Sequence, residues 1–191
     1  MGRRDLPRAS FGLGHLLVMV STTEDVSTRT GAARLCAHRL PYTGDAPAAT
    51  AALQQFLNDD EEKVRKAAAE VAGALRGRAL RPFGGLLTTL IASPAFSDAP
   101  AQLLLTLQQA PDRIDDLVAQ CASRFVEVHG ADAGNLSTDA AGAAPKIGRL
   151  VLRAYAQAAD SAARGPVLDL IDDLLLSGAY EFDQIVDEAE R

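Results

Sequence analysis

The 191-residue chain contains no Trp, and aromatic residues make up only 5 % of it. Its apolar content is carried mainly by Ala and Leu. That balance argues against a β-sandwich rich in Val, Tyr and Thr, and for helices packed closely through small side chains. Cysteine is scarce: Cys36 and Cys121 both fall on apolar helical stripes. They supply no disulfide framework and suit a reducing, cytoplasmic setting as small hydrophobes. His15, His38 and His129 are the only histidines, with no i, i+4 pair and no Cys at metal spacing. Zinc takes about four converging ligands, so no metal is expected. There is no Gly-Lys-Ser or Gly-Lys-Thr phosphate loop; Gly12-Leu13-Gly14 and Gly84-Gly85 stand alone, and no cofactor is expected. Asp132, Asn135 and Asp139 lack the spacing and the following Glu of a calcium loop. No segment reaches the run of about 18 apolar residues of a membrane span. Arg3-Arg4 before the stretch Leu13 to Val20 look like a weak secretory signal. Asp5 and Pro7 interrupt it and no clean cleavage site follows, so a first helix is expected there instead.

Basic charge is also limited. The net charge is −6, and Lys63, Lys66 and Lys146 are the only lysines. Arg-for-Lys usage with high Ala is associated with GC-rich bacterial genomes. Residues 1–81 hold twelve Lys and Arg against nine acids, whereas residues 82–191 hold seven against sixteen. A weakly basic start and a strongly acidic end do not make the basic stripe that nucleic-acid binding requires.

What is present is helical spacing nearly throughout. Val64, Ala67, Ala68, Val71 and Leu75 share one helix face, with Glu62, Lys66 and Glu70 on the other. Asp59 and Asp60 precede this run, where they can cap free N–H groups. Ile114, Leu117, Val118, Cys121, Phe125 and Val128 form a second stripe. Ile147, Leu150, Val151, Ala154, Tyr155 and Ala158 form a third. Val167, Leu168, Leu170, Ile171, Leu174 and Leu175 form a fourth, with Asp169, Asp172 and Asp173 facing away. Breaks fall at Pro41–Pro47, Gly77–Pro82, Ser93–Pro100, Ala110–Asp112, Gly130–Ala144, Gly165–Pro166 and Ser177–Gly178. The pattern predicts helices paired as 10–20 with 27–40, 46–57 with 60–76, 80–92 with 99–110, 112–129 with 142–159, and 163–177 with 181–190.

The segment Asn58 to Leu75 has a fainter copy upstream, without gaps. Glu24-Asp25 stand where Asp60-Glu61 stand, Arg29 where Arg65 stands, Ala32-Ala33 where Ala68-Ala69 stand, and Leu35 where Val71 stands. The offset of 36 residues is the length of one helical hairpin. The opening acids, Val64-Arg65 and the run Ala67-Ala68-Ala69 resemble the second helix of a HEAT-type repeat. The match is good over 46–76 and partial over 20–40, where Thr28 replaces the usual Val and Gly31 an Ala. The resemblance implies an all-α fold, a right-handed α-solenoid of about five stacked antiparallel helix pairs forming one domain over 1–191. Residues 1–110 would be HEAT-like repeats, and 111–191 more divergent pairs with an acidic cap. It also implies that Asp60, Val64, Arg65, Ala68, Arg29 and Ala32 stack the repeats, with Asp60 and Arg29 as a ladder pair. Leu150 to Arg191 is similar to the tail of some large multidomain bacterial proteins.

Function is expected to follow from surface and not from catalysis. The first reading is a non-enzymatic scaffold binding a protein partner of unidentified kind. The alternative is a regulatory C-terminal module of a larger bacterial ATP-dependent protein. A HEAT-like DNA-binding or repair protein ranks third, since this chain is acidic and has no Trp. Candidate partner contacts are Arg76, Arg78 and Arg81 at a helix end, where cations also complement the helix dipole. Asp169, Asp172 and Asp173 are a second set, and the same acids would keep a terminal repeat soluble.

Overall fold

The computed structural model describes residues 20, 22–40, 46–98, 100–129, 138–158 and 160–176. Among these residues the chain is all-helical, without a strand. In chain order the helices are α1 (Val26–Arg39), α2 (Ala46–Phe56), α3 (Glu62–Ala69), α4 (Val71–Ala74), α5 (Gly84–Ala92), α6 (Pro100–Gln108), α7 (Asp115–His129), α8 (Thr138–Gln157) and α9 (Ser161–Leu176). Two short 3-10 turns, Arg81–Phe83 and Pro94–Asp98, lead into α5 and α6. The expected helices at 10–20 and 181–190 lie outside the described residues, apart from Val20.

Local chemistry explains most of the ends. Asp25 caps α1 by accepting the backbone N–H groups of Ser27 and Thr28 at 3.4 and 2.9 Å. Thr28, standing where the repeat pattern has Val, also gives its hydroxyl to Asp25. Asp59 accepts the backbone N–H of Glu61 at 2.9 Å and so shapes the entry to α3. Gly77 has φ of 70°, a left-handed value that an L side chain disfavours, and it turns the chain after α4. Pro100 is the first residue of α6, where its missing N–H is no loss.

Three expectations fail in detail. The helix expected over 60–76 is broken at Glu70, whose ψ of −17° departs from the α-helical value of about −42°. The break expected at Gly165-Pro166 is absent: the helix expected over 163–177 runs from Ser161 to Leu176 and carries Pro166 inside. The eighth helix begins at Thr138 and contains Gly142 and Pro145, so the expected irregular stretch to Ala144 is helical in its last part. In both helices packing by the apolar stripe outweighs one missing backbone hydrogen bond.

The helices pack as two sets of neighbours. In one, α1 lies on α3, α3 on the 94–98 turn, α4 on α6, and α6 on α8. In the other, α2 lies on α5, α5 on α7, and α7 on α9. Contacts such as α1 with α2, α6 with α7 and α8 with α9 join the two sets. One apolar core runs between them from Ala33 to Leu174. The α3–α4 stripe enters this core as expected, Val64, Ala68, Val71 and Leu75 being fully buried. The upstream copy departs at one position: Leu35, the counterpart of Val71, is 52 % exposed, although Ala33, the counterpart of Ala69, is buried. Cys36, Ala37 and Leu40, which follow Leu35, are buried instead. Unbroken α1 keeps Leu35 on the outer face, while the break at Glu70 precedes a Val71 that turns inward.

Candidate interaction surface

The sequence-derived stacking residues meet at the start of α1 and α3. Arg29 donates through Nε and Nη2 to the Asp59 carboxylate at 2.8 and 3.1 Å, both side chains being largely buried. This bidentate pair corrects the expected Arg29–Asp60 contact by one residue. Asp60 is exposed and contributes its backbone carbonyl, which accepts Arg65 Nη1 at 2.9 Å. The repeat relation reappears in the backbone contacts. Arg29 Nη1 donates to the Thr23 carbonyl at 2.7 Å, and Arg65 Nη1 to the Asp59 carbonyl at 2.9 Å, each six residues upstream. The Asp59 carboxylate keeps Arg29 charged, raising its pKa against the effect of burial. Of the paired alanines, Ala68 is buried and Ala32 half-buried.

A second set of contacts lies further along the same helices. Arg34 Nε donates to both oxygens of Glu70 at 3.0 and 3.3 Å, and His38 Nε2 lies 2.8 Å from Glu70 Oε2. Glu70 therefore turns to α1 and not to Lys66, which pairs with Glu62. Beside this network an open groove of about 550 Å³ is lined by His38, Lys66, Ala69, Glu70, Gly73, Ala74, Arg76 and Gln102. Gly73 lies close against Gln102: a Cβ there would stand 2.4 Å from Gln102 Nε2, so the end of that flexible side chain would have to move aside. Buried Thr106 donates its hydroxyl to the Ala72 carbonyl at 2.8 Å and so fastens α6 to α4 behind the groove.

The three arginines expected to form one patch are divided. Arg76 lines the groove and Arg78 is half-buried. Arg81 is committed to the next turn, where its Nε donates to the Arg113 carbonyl at 3.1 Å. In return Asp112 accepts the backbone N–H groups of Leu80 at 3.0 and 2.9 Å and of Arg81 at 2.8 Å. Burial raises the Asp112 pKa, and these N–H groups outweigh it, so its carboxyl sits below the ordinary value. Asp169, Asp172 and Asp173 are exposed on α9 as expected.

The sequence marked Asp59 as a cap and Glu70 as an outer-face residue without their arginine partners, and did not mark Gln102, Asp112 or Arg113 as contacts. Its available signal was separation. Partners in the first part of the chain stand about one repeat apart: 30 residues for Arg29–Asp59, 36 for Arg34–Glu70, 35 for Gln54–Thr89, 34 for Thr106–Ala72 and 32 for Asp112–Leu80.

Nucleophilic chemistry is not prepared at the cysteines. Burial pushes the Cys36 thiol up to about 11 and raises that of Cys121 as well, so both are protonated near neutral pH. Among the described residues no group of three or more His, Cys, Asp or Glu gathers to hold a metal, and no helix is long and apolar enough to cross a membrane.

Two further cavities of about 260 Å³ each lie at the other end of the described chain. One is a mixed cleft including Asp112, Arg113, Ile114, Arg153 and Gln157; the other is apolar and set between α7, α8 and α9. Arg113, Asp115, Val118 and Ala154 belong to both. Comparison of the chain with family models, with characterised proteins and with solved structures finds no match.

Proposed function

We propose that the protein is a non-enzymatic scaffold for protein–protein interaction, organised as a HEAT-like α-solenoid of about five helix pairs. The observation that carries this reading is the spacing of its inter-helix bonds. Side chains in the first part of the chain reach partners 30 to 36 residues away, about one hairpin, which is how neighbouring repeats stack. The two sets of neighbouring helices suit the same arrangement. In such a stack each unit contacts mainly its neighbours, and a row of helices is left to present a surface. The open groove with Arg76, Lys66 and Gln102 lies between α1, α3, α4 and α6, where a partner would meet that row.

A photo-crosslinking amino acid placed at Gln102 tests the proposal in the native host. A discrete protein adduct is expected from this position and not from exposed Lys63. Arg76→Glu should reduce that adduct while leaving helicity and melting temperature unchanged, since Arg76 is exposed. Equal labelling from both positions, or labelling indifferent to Arg76→Glu, would remove the groove from consideration.

A further inference from the structure

We propose that the apolar pocket between α7, α8 and α9 binds a small, uncharged, mainly hydrocarbon molecule. Its walls include Val118, Val151, Ala154, Ala158, Val167 and Leu170. Val118, Val151 and Leu170 are buried members of the core, while Ala154, Ala158 and Val167 are half-buried. The volume of about 260 Å³ falls below the roughly 300–1,000 Å³ usual for a drug-sized ligand. It exceeds the roughly 150 Å³ of an aliphatic cavity that takes up benzene. A ring with a short side chain, about ten non-hydrogen atoms, is the ligand of matching size.

Charge selects against ions. Among the described residues only Arg113 and Asp115 bring charge to the lining. They neutralise each other: Arg113 Nη2 donates to Asp115 Oδ2 at 3.2 Å, and also to the Gln157 carbonyl at 3.0 Å. An ion entering the pocket would give up hydration and meet no uncompensated counter-charge, which is costly. A neutral hydrocarbon has no such cost, and it removes apolar wall from water.

The same poverty of polar groups favours a free molecule over an anchor residue of a protein. A peptide brings a backbone N–H and C=O with nearly every residue, and these need partners once buried. Apart from Arg113 and Asp115, the described lining side chains are aliphatic and offer none. A ring bearing one hydroxyl asks for a single bond. The Asp115 carboxylate can accept it, having lone pairs beyond the one that Arg113 uses. Three helices supply the walls, so the bound molecule would tie α9 to α7 and α8. The pocket lies on other helices than the groove behind the scaffold reading, so either can fail alone.

The test is a titration of the full chain with phenylpropanol, followed by the methyl NMR signals of Val118, Val151, Val167 and Leu170. Saturable shifts are expected with half-saturation below about 1 mM, together with a rise in melting temperature. Phenylpropanoate and phenylpropylammonium, of the same shape but charged, should bind at least about tenfold more weakly. So should acetylphenylalaninamide, which carries the same ring on a peptide backbone. Ala154→Leu and Ala158→Leu each put a side chain into the space and should weaken phenylpropanol at least about tenfold with circular dichroism unchanged. The charge series on the unaltered protein keeps the test decisive if a variant fails to fold. The proposal is overturned if half-saturation lies above about 1 mM, if either ion binds as well as the alcohol, or if folded variants bind it undiminished. Equal binding of acetylphenylalaninamide also overturns it and would assign the pocket to an anchor residue of a protein.

Discussion

Arg29 and Asp59 form the most enclosed ion pair among the described residues, their side chains being 13 % and 12 % exposed. The two bonds are parallel and charge-assisted, the geometry in which an arginine fork gains most. Asp59 also receives the Glu61 N–H, so one carboxylate joins α1 to the entry of α3. Asp59→Ala should lower unfolding free energy by about 2 kcal/mol, because it strands a largely buried guanidinium. Asp60→Ala, at an exposed side chain, should change it by less than about 0.5 kcal/mol. Urea denaturation of the two variants separates them, and the reverse order would restore the ladder expected from the sequence. That expectation was one residue out for a physical reason. A repeat motif places an acid near the helix start, but which of adjacent Asp59 and Asp60 faces the arginine depends on how the loop enters the helix.

At the scale of elements, α7 shows how burial sets a titration. His129 is its last residue, with its ring centroid 4.9 Å from that of Phe125. Its Nε2 is buried without a hydrogen-bond partner among the described residues. A cation at a helix C-terminus is favoured by the dipole, yet desolvation wins and lowers the His129 pKa below its ordinary 6.5. The unfolded chain therefore binds the proton more readily than the folded one. Stability from this site is complete above about pH 6.5 and is lost as pH falls below that value towards the folded pKa. The melting temperature of the protein should therefore fall more than that of His129→Phe between about pH 7.5 and about pH 5.5. Parallel curves would show that His129 stays solvated. The stripes of α3–α4 and α7 were legible from spacing because their apolar residues recur at helical intervals, and in α3–α4 the interval survives the break at Glu70. The break at Glu70, the start of α8 at Thr138 and the unbroken course of α9 through Gly165-Pro166 were not, since neighbouring helices decide whether a locally poor residue is tolerated.

For the whole molecule, one continuous core links α1 to α9. Leu90 lies in α5, in the middle of the chain, and is 2 % exposed. Leu90→Ala should cost about 3 kcal/mol through lost burial and a residual cavity. If the core couples all units, hydrogen exchange should accelerate in α1 and α9 together, with one thermal transition. Exchange faster only in α5 and its neighbours would instead describe weakly coupled repeats. The amino-acid sequence by itself determined the helical class, the apolar stripes, most turns and the 36-residue relation between Arg29 and Arg65. Each of these follows from residues close together in the chain or from spacing along one face. Tertiary structure alone decided that Asp59 and not Asp60 meets Arg29, that Glu70 turns to Arg34 and His38, and that Arg113 reaches the Gln157 carbonyl. Those partners stand 30 or more residues apart, and helix rotation and packing, which no local pattern encodes, bring them together.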